Sequence, residues 1–177
     1  MRVSIKIKDV NTLNLKRKFA AMSRRSRDFS PVFRWAMQEL QKAHQDNFNT
    51  NGGASGSPWK PLDPQYSSWK ISNYGSKGVL VRTGALENSL TMNSGRGAVR
   101  DIGRTSAEFG TSLPYAKFHQ VGTTTMAQRK VVFLPVTMAQ RTANVVAEYI
   151  VHGTMGVVYS DAMRGFVAYH DGRTQRS

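Results

Sequence analysis

Histidines and carboxylates are the side chains in this sequence that could carry catalysis or hold a metal. The four histidines are His44, His119, His152 and His170, and no two of them stand three or four residues apart. A zinc-binding His-Glu-x-x-His helix needs that spacing, and the Gly-x-Ser-x-Gly turn of a nucleophilic serine is also missing from the sequence. With 11 acidic residues in all, we predict no catalytic, cofactor-binding or metal-binding residue and no enzymatic activity.

Two further kinds of site are excluded by composition and by loop pattern. The chain has no cysteine, which removes disulfide scaffolds, thiolate zinc sites, iron–sulfur clusters and cysteine nucleophiles. Residues 51–57 are rich in glycine and invite comparison with a phosphate-binding loop. Because no strand precedes them and the Gly-Lys-Ser/Thr ending is missing, we predict an ordinary loop there.

Positive charge is the strongest chemical signal in the sequence. The 177 residues carry a formal net charge of +14, and residues 1–27 alone hold nine basic residues and one acid, a net charge of +8. Such a segment favours a polyanionic partner, although a solvated helix face that keeps the protein soluble has the same appearance. The candidate contacts to DNA or to a protein partner are Lys16, Arg17, Lys18, Arg24, Arg25, Arg27, Arg129 and Lys130.

Composition and length place the chain among packed, strongly basic domains. The hydrophobic fraction is 40%, no apolar run reaches the roughly 18 residues of a membrane span, and residues 1–10 alternate apolar and polar residues instead of forming a signal peptide. We therefore expect a soluble protein made inside the cell. We predict one domain over residues 1–153 and a C-terminal extension over 154–177, which is either a hairpin or a mobile tail.

The N-terminal half reads as a strand followed by helices. Alternation over residues 3–7 predicts a strand, and residues 12–26 predict a basic helix with one apolar stripe, formed by Leu15, Phe19 and Met22. Ser30 before a proline predicts the N-cap of a helix over 31–49. That helix places a lone histidine, His44, on its apolar stripe as a core residue, and Trp35 on the opposite face as a candidate subunit contact. A neighbouring helix of the same subunit is the alternative cover for Trp35.

The remaining elements are shorter. Residues 63–78 look polar and turn-rich, and we expect the aromatic residues Tyr66, Trp69 and Tyr74 to pack beneath a long loop. Thr83 is predicted to cap a helix over 84–91. Runs at 98–103, 107–111 and 131–136 predict strands, the first two joined as a hairpin, and 137–151 predicts a final helix ended by Gly153. The fold class is therefore α+β: an N-terminal strand and helices packed on a small antiparallel sheet, with a C-terminal helix and a variable tail.

The order of short motifs between residues 48 and 136 resembles the phage virion-morphogenesis, or tail-completion, family of tailed bacteriophages and Mu-like prophages. After a helix and a glycine-rich turn come Trp-Lys-Pro-Leu, then Thr-Gly-x-Leu-x-x-Ser-Leu, a strand ending in Gly-Thr, Tyr-Ala-x-x-His-Gln-x-Gly, and an Arg-x-Phe-Leu strand that here is two residues longer. The residues that carry the resemblance most clearly, called the motif residues below, are Trp59, Lys60, Pro61, Leu62, Thr83, Gly84, Leu86, Tyr115, Ala116, His119, Gln120 and Gly122.

The motif residues read as architecture. We expect Trp59 to bury a large area, Gly84 to let a helix start close to another backbone, and a neutral His119, making two hydrogen bonds, to fix loops together with Gln120.

The resemblance implies structural work in a virion. Such proteins join the head–tail neck or the top of the tail, and related neck proteins form rings, usually hexamers, around the DNA channel. It implies a homo-oligomer with neighbouring neck and tail proteins as partners, genomic DNA as a further candidate partner, no membrane and no cofactor. The location would be the virion, after assembly in the host cytoplasm. Two alternatives stay open: a free, sequence-nonspecific nucleic-acid-binding protein, and a host-side or toxin-like basic protein.

Overall fold

The computed structural model describes residues 12–154. The strand predicted at residues 3–7 and the predicted tail hairpin lie outside these residues. The described part contains six α-helices and a two-stranded antiparallel sheet, which confirms the α+β class. In chain order the elements are α1 (Thr12–Arg25), α2 (Ser30–Asn49), a short 3₁₀ turn (Gly53–Ser55), α3 (Pro64–Tyr74), α4 (Ala85–Thr91), β1 (Ala98–Ile102), β2 (Ala107–Thr111), α5 (Ala116–Val121) and α6 (Met138–His152).

The long helix α2 forms where its apolar spacing predicts it, but its cap differs. Ser30 is the first helical residue and not the N-cap. The side chain of Asp28 accepts a hydrogen bond from the Ser30 N–H at 2.9 Å. An aspartate two residues earlier thus satisfies one of the free N–H groups of the first turn, while Pro31 lies in that turn without needing a partner.

Helix α3 is the element that the sequence prediction missed. Its signal is local: Asp63 is the N-cap, its carboxylate accepts from the N–H groups of Gln65 (2.9 Å) and Tyr66 (3.2 Å), and Pro64 opens the helix. The aromatic residues predicted to lie under a loop are instead on this helix. Tyr66 and Trp69 stack with ring centres 5.6 Å apart, and both are exposed.

The predicted hairpin is confirmed, and its register pairs Arg100 with Phe109. The predicted third strand, 131–136, is wrong, because these residues have no strand partner among the described residues. Helices α2 and α4 cover the hairpin. His44 is fully buried, as predicted, with its ring centre 4.8 Å from those of Phe109 and Phe133.

A buried apolar cluster joins α2, the Trp-Lys-Pro-Leu segment, α4, α5 and the segment after α5. Its members are Phe48, Trp59, Leu86, Leu90, Ala116 and Val131. The rings of Phe48 and Trp59 meet edge to face at 5.2 Å. Burying two large aromatic rings here removes several hundred Å² of apolar surface from water, on the order of 150–250 Å² each. Three motif residues, Trp59, Leu86 and Ala116, belong to this cluster, so the motifs are anchored in the core.

Candidate functional site

Gln120 holds the segment that was predicted to be a strand. Its side-chain carbonyl accepts hydrogen bonds from the N–H groups of Val131 (2.9 Å) and Val132 (3.0 Å), and its amide donates to the carbonyl of Val132 at 2.9 Å. The N–H of Phe133 donates to Nε2 of His44 at 3.3 Å. Three consecutive backbone N–H groups are thus satisfied by side chains, and the segment needs no neighbouring strand.

Arg129 joins the same segment to the Trp-Lys-Pro-Leu motif. Its guanidinium donates to the carbonyls of Lys60 (2.8 Å) and Pro61 (3.0 Å), and the indole N–H of Trp59 donates to the carbonyl of Lys130 at 2.9 Å. Arg129 is only 9% exposed, and burial lowers the pKa of its guanidinium. Among the predicted partner contacts, Arg129 is therefore occupied inside the fold, whereas Lys130 is exposed.

His119 lies at the edge of this arrangement. Its backbone carbonyl accepts from the N–H of Arg129 at 2.8 Å, but its side-chain Nδ1 is buried with no hydrogen-bond partner among the described residues. The predicted pair of side-chain hydrogen bonds is therefore not made. Burial, followed by the charge of Arg129, lowers the pKa of His119, so the ring is neutral at pH 7.

The Thr-Gly-x-Leu motif starts α4 in a way that the sequence did not predict. Gly84 and not Thr83 is the N-cap, and the Thr83 hydroxyl accepts only a long contact, 3.4 Å, from the N–H of Ala85. Gly84 has φ +85°, a left-handed conformation that favours glycine. A Cβ there would come no closer than 3.6 Å to a neighbouring atom. The glycine thus serves backbone conformation and not the predicted close approach.

Eight of the twelve motif residues line one open cleft of about 860 Å³, called the motif cleft below. They come from the Trp-Lys-Pro-Leu, Thr-Gly-x-Leu and Tyr-Ala-x-x-His-Gln motifs, and the most distant of them lie 59 positions apart in the sequence. Trp59, Ala116, Gln120 and Gly122 do not line it, and the first two are buried in the core. The contributing motif residues are Lys60, Pro61, Leu62, Thr83, Gly84, Leu86, Tyr115 and His119.

Helix α1 is the second candidate surface. Lys16, Arg17, Lys18 and Arg24 on the helix, and Arg27 just beyond it, are exposed. The apolar stripe does not pack inward as an amphipathic helix normally does: Leu15 is 42% and Phe19 60% exposed, and only Met22 is half-buried. In the described chain α1 therefore offers apolar and basic side chains to solvent together.

Two predicted surface residues make contacts to α6 instead. The guanidinium of Arg25 donates to the carbonyls of Ile150 (2.8 Å) and Val151 (2.9 Å), and so caps the C-terminal end of α6. The ring of Trp35 is half-buried, with the guanidinium of Arg141 5.6 Å from its centre. The neighbouring helix of the same chain thus covers part of Trp35, and a subunit contact at its remaining surface stays a prediction.

Sequence reasoning missed one buried cation, Lys70, and one half-buried cation, Arg100. The ammonium of Lys70 donates to the carbonyls of Lys77 (3.2 Å) and Gly78 (2.5 Å), and the guanidinium of Arg100 donates to those of Ser89 (3.0 Å) and Gly110 (3.0 Å). The burial of Lys70 could be predicted only from its position on α3, four residues after Tyr66, and this helix would have to be identified first. Lys70 thus binds carbonyls of the loop after α3, and Arg100 links the end of α4 to β2.

Residues 12–154 contain no group of three His, Cys, Asp or Glu side chains placed to hold a metal ion. Within the same residues no helix is long and apolar enough to cross a membrane. The cleft and α1 are therefore the features whose chemistry remains to be explained, and both combine positive charge with apolar surface.

Comparison with known protein families matches residues 10–143 to the phage virion morphogenesis family. The matched span includes α1, every motif residue and the first part of α6. No curated protein and no solved structure matches the chain significantly. Since the match covers about three quarters of the sequence and the motif order agrees with it, the chain belongs to the phage virion morphogenesis family and has a structural or assembly role in the phage virion.

Proposed function

We propose that this chain is a structural subunit of the head–tail neck or the top of the tail, and that it assembles as a ring, a hexamer by resemblance, around the DNA channel. The observation that carries the proposal is α1, whose apolar stripe and cations are both exposed. Apolar side chains as large as Phe19 gain about 1.5–3 kcal/mol each when they are buried, so an uncovered stripe calls for a neighbour. A ring supplies that neighbour from identical copies.

The charge on α1 points to the second partner of the ring. Six copies of a segment with net charge +8 would place about 48 positive charges around one opening. A channel in which DNA slides is poorly served by such a lining, because every phosphate contact adds affinity. We therefore assign part of this charge to acidic surfaces of neighbouring neck or tail proteins, and the rest to the DNA.

The test is charge reversal on α1 in the assembling phage. The variant K16E/K18E/R24E changes three exposed cations and leaves Arg25, which caps α6, in place. We expect separate heads and tails in electron micrographs and a steep loss of infectious particles, while the purified variant unfolds like the parent. The control K42E reverses an exposed charge on α2. Normal particle yields from the triple variant, or an image of the particle with the subunit away from the neck and tail top, would reject the proposal.

A free nucleic-acid-binding protein is the second candidate, and one observation favours it. Tyr66 and Trp69 are stacked and exposed, 42% and 46% respectively, with the charge of Arg82 on the neighbouring Tyr74 at 5.6 Å. Exposed aromatic rings beside a cation are the usual platform for single-stranded bases. Fluorescence anisotropy of the isolated protein with single-stranded DNA would reveal micromolar binding that weakens steeply with salt and is lost in W69A. No binding at low salt excludes this function.

A further inference from the structure

The lining of the motif cleft carries more cations than carboxylates: Lys60, Lys70, Arg82, Arg96 and Arg129 against Asp63. Lys60, Arg82 and Arg96 are exposed along its rim. The ion pairs found among residues 12–154 are Arg141–Glu39 and His152–Glu148, so none of the three rim cations has a carboxylate partner there. Their charge is free to attract a ligand.

The wall of the cleft adds two buried cations. Lys70 is 2% exposed and Arg129 is 9% exposed, and both donate hydrogen bonds to backbone carbonyls, which are neutral. A buried charge without an opposite charge keeps its field, and the low dielectric of the wall strengthens it. The carboxylate of the lining, Asp63, is bound to the first N–H groups of α3 and sits at the positive end of that helix.

The floor of the cleft is apolar. We use the term floor for the leucines of the lining that are buried or half-buried: Leu62, Leu80, Leu86 and Leu113. An apolar floor beneath a cationic rim accepts a chain that has apolar side chains on one face and carboxylates along its edges. A nucleic acid matches this less well, because its charge lies on a continuous phosphate backbone and it has no aliphatic side chains to fill the floor.

We propose that the motif cleft is a docking site for an extended segment of another virion protein, in which acidic residues alternate with apolar ones. This proposal extends the assembly role proposed above to a second surface and states the chemistry of the partner that binds there. It rests on that role only because it requires a second virion protein. Charge complementarity selects the partner, and the apolar floor supplies contact area. The three motifs that line the cleft thereby share one use.

The test is site-specific photo-crosslinking in cells that are producing particles. A photo-reactive benzoylphenylalanine replaces Thr125, an exposed residue of the cleft lining, and in a parallel sample replaces Lys117, which is exposed outside it. Mass spectrometry then identifies the attached peptide. We expect a Thr125 adduct with a virion protein segment in which Asp or Glu alternates with apolar residues.

Charge reversal supplies the second measurement. In K60E/R82E/R96E the Thr125 adduct should fall about tenfold or more, since the ion pairs of three exposed cations with the acidic segment are lost. The matched control R34E/K42E/K117E reverses three exposed cations outside the cleft and should keep the adduct. Unfolding curves show whether each variant folds, and K60Q/R82Q/R96Q, which neutralises the rim without reversing it, replaces the Glu variant if that variant does not.

Four results would overturn the proposal: an adduct with DNA, an adduct with a basic or uncharged segment, no adduct at Thr125, or an adduct that survives rim reversal in a folded variant. Failure of the neck assignment gives a different result. In that case the acidic segment would still be captured, but it would belong to a virion protein located away from the neck and tail top.

Discussion

Replacing Gln120 by alanine should destabilise the fold severely for a single polar substitution. The side chain makes three hydrogen bonds, two from the N–H groups of Val131 and Val132 and one to the carbonyl of Val132. Val131 is fully buried, so water cannot replace all of these partners in the variant. At about 1 kcal/mol for each hydrogen bond, the free energy of unfolding should fall by about 3 kcal/mol. For a chain of this length that lowers the melting temperature by about 6–12 °C.

Two matched variants separate this role from a general loss of polar contacts. Q120E keeps an oxygen that accepts from both N–H groups but cannot donate to the Val132 carbonyl, so it should lose about 1–2 kcal/mol. Q128A removes one hydrogen bond, from the exposed Gln128 to the carbonyl of Gln120, and should lose less than about 1 kcal/mol.

Urea unfolding gives the free energies, and amide hydrogen exchange gives a local readout. In Q120A the amides of Val131 and Val132 should exchange faster than in the parent, out of proportion to the change in global stability. If Q120A unfolds within about 1 kcal/mol of the parent, or no more easily than Q128A, the side chain is not what holds this segment, and the reasoning about its missing strand partner fails.

Three further predictions concern buried groups. Burial lowers the pKa of His44 to about 4, below its value in the unfolded chain, so stability is full above about pH 6.5 and falls by up to about 1.4 kcal/mol per pH unit toward pH 4. Urea unfolding at several pH values should show this slope, and the H44Q variant should show a flatter one. An unchanged slope in H44Q would mean that another group causes the pH dependence. Gly52 has φ +91°, and in G52A the new Cβ would lie 2.6 Å from the carbonyl oxygen of Ser57. A melting scan should therefore show that the free energy of unfolding falls by more than about 2 kcal/mol. An unchanged stability would mean that the turn rearranges freely. K70M keeps the aliphatic stem but leaves the carbonyls of Lys77 and Gly78 without this donor. Urea unfolding should show a loss of about 1–3 kcal/mol in stability, and the control K42M, at an exposed site, should show almost none. Equal effects of the two variants would contradict the role of these buried hydrogen bonds.

Prediction from the sequence succeeded where a repeating pattern ran for several turns or filled a short hairpin. Helices α2 and α6 and the 98–111 hairpin were each found close to their observed bounds. It failed at α3 because this helix is only weakly amphipathic, and its Asp63–Pro64 start lies in a segment of turn-forming composition. The failure at 131–136 has another origin, since a β-prone run there meets a glutamine and a histidine instead of a second strand.

The candidate sites were predictable only in part. The motif order pointed to the family, and the charge count pointed to α1. Neither showed that the motifs line one cleft, because forming it takes contacts between distant residues, such as those of Arg129 with Lys60 and Pro61, which lie 69 and 68 positions away. Nor could the rim cations Arg82 and Arg96 be picked out from the other basic residues, since nothing in their neighbours along the chain distinguishes them.

The sequence by itself determined the class of the protein, its local helices and hairpin, and the concentration of positive charge in residues 1–27, since periodicity, capping residues and charge are properties of neighbouring residues. Only the tertiary structure decided which cations are free. Arg25 and Arg129 were drawn into hydrogen bonds with distant carbonyls, while the apolar stripe of α1 was left in solvent. The physical reason is that a buried backbone group takes whichever donor or acceptor the packing brings to it, and that choice is made across the fold and not along the chain.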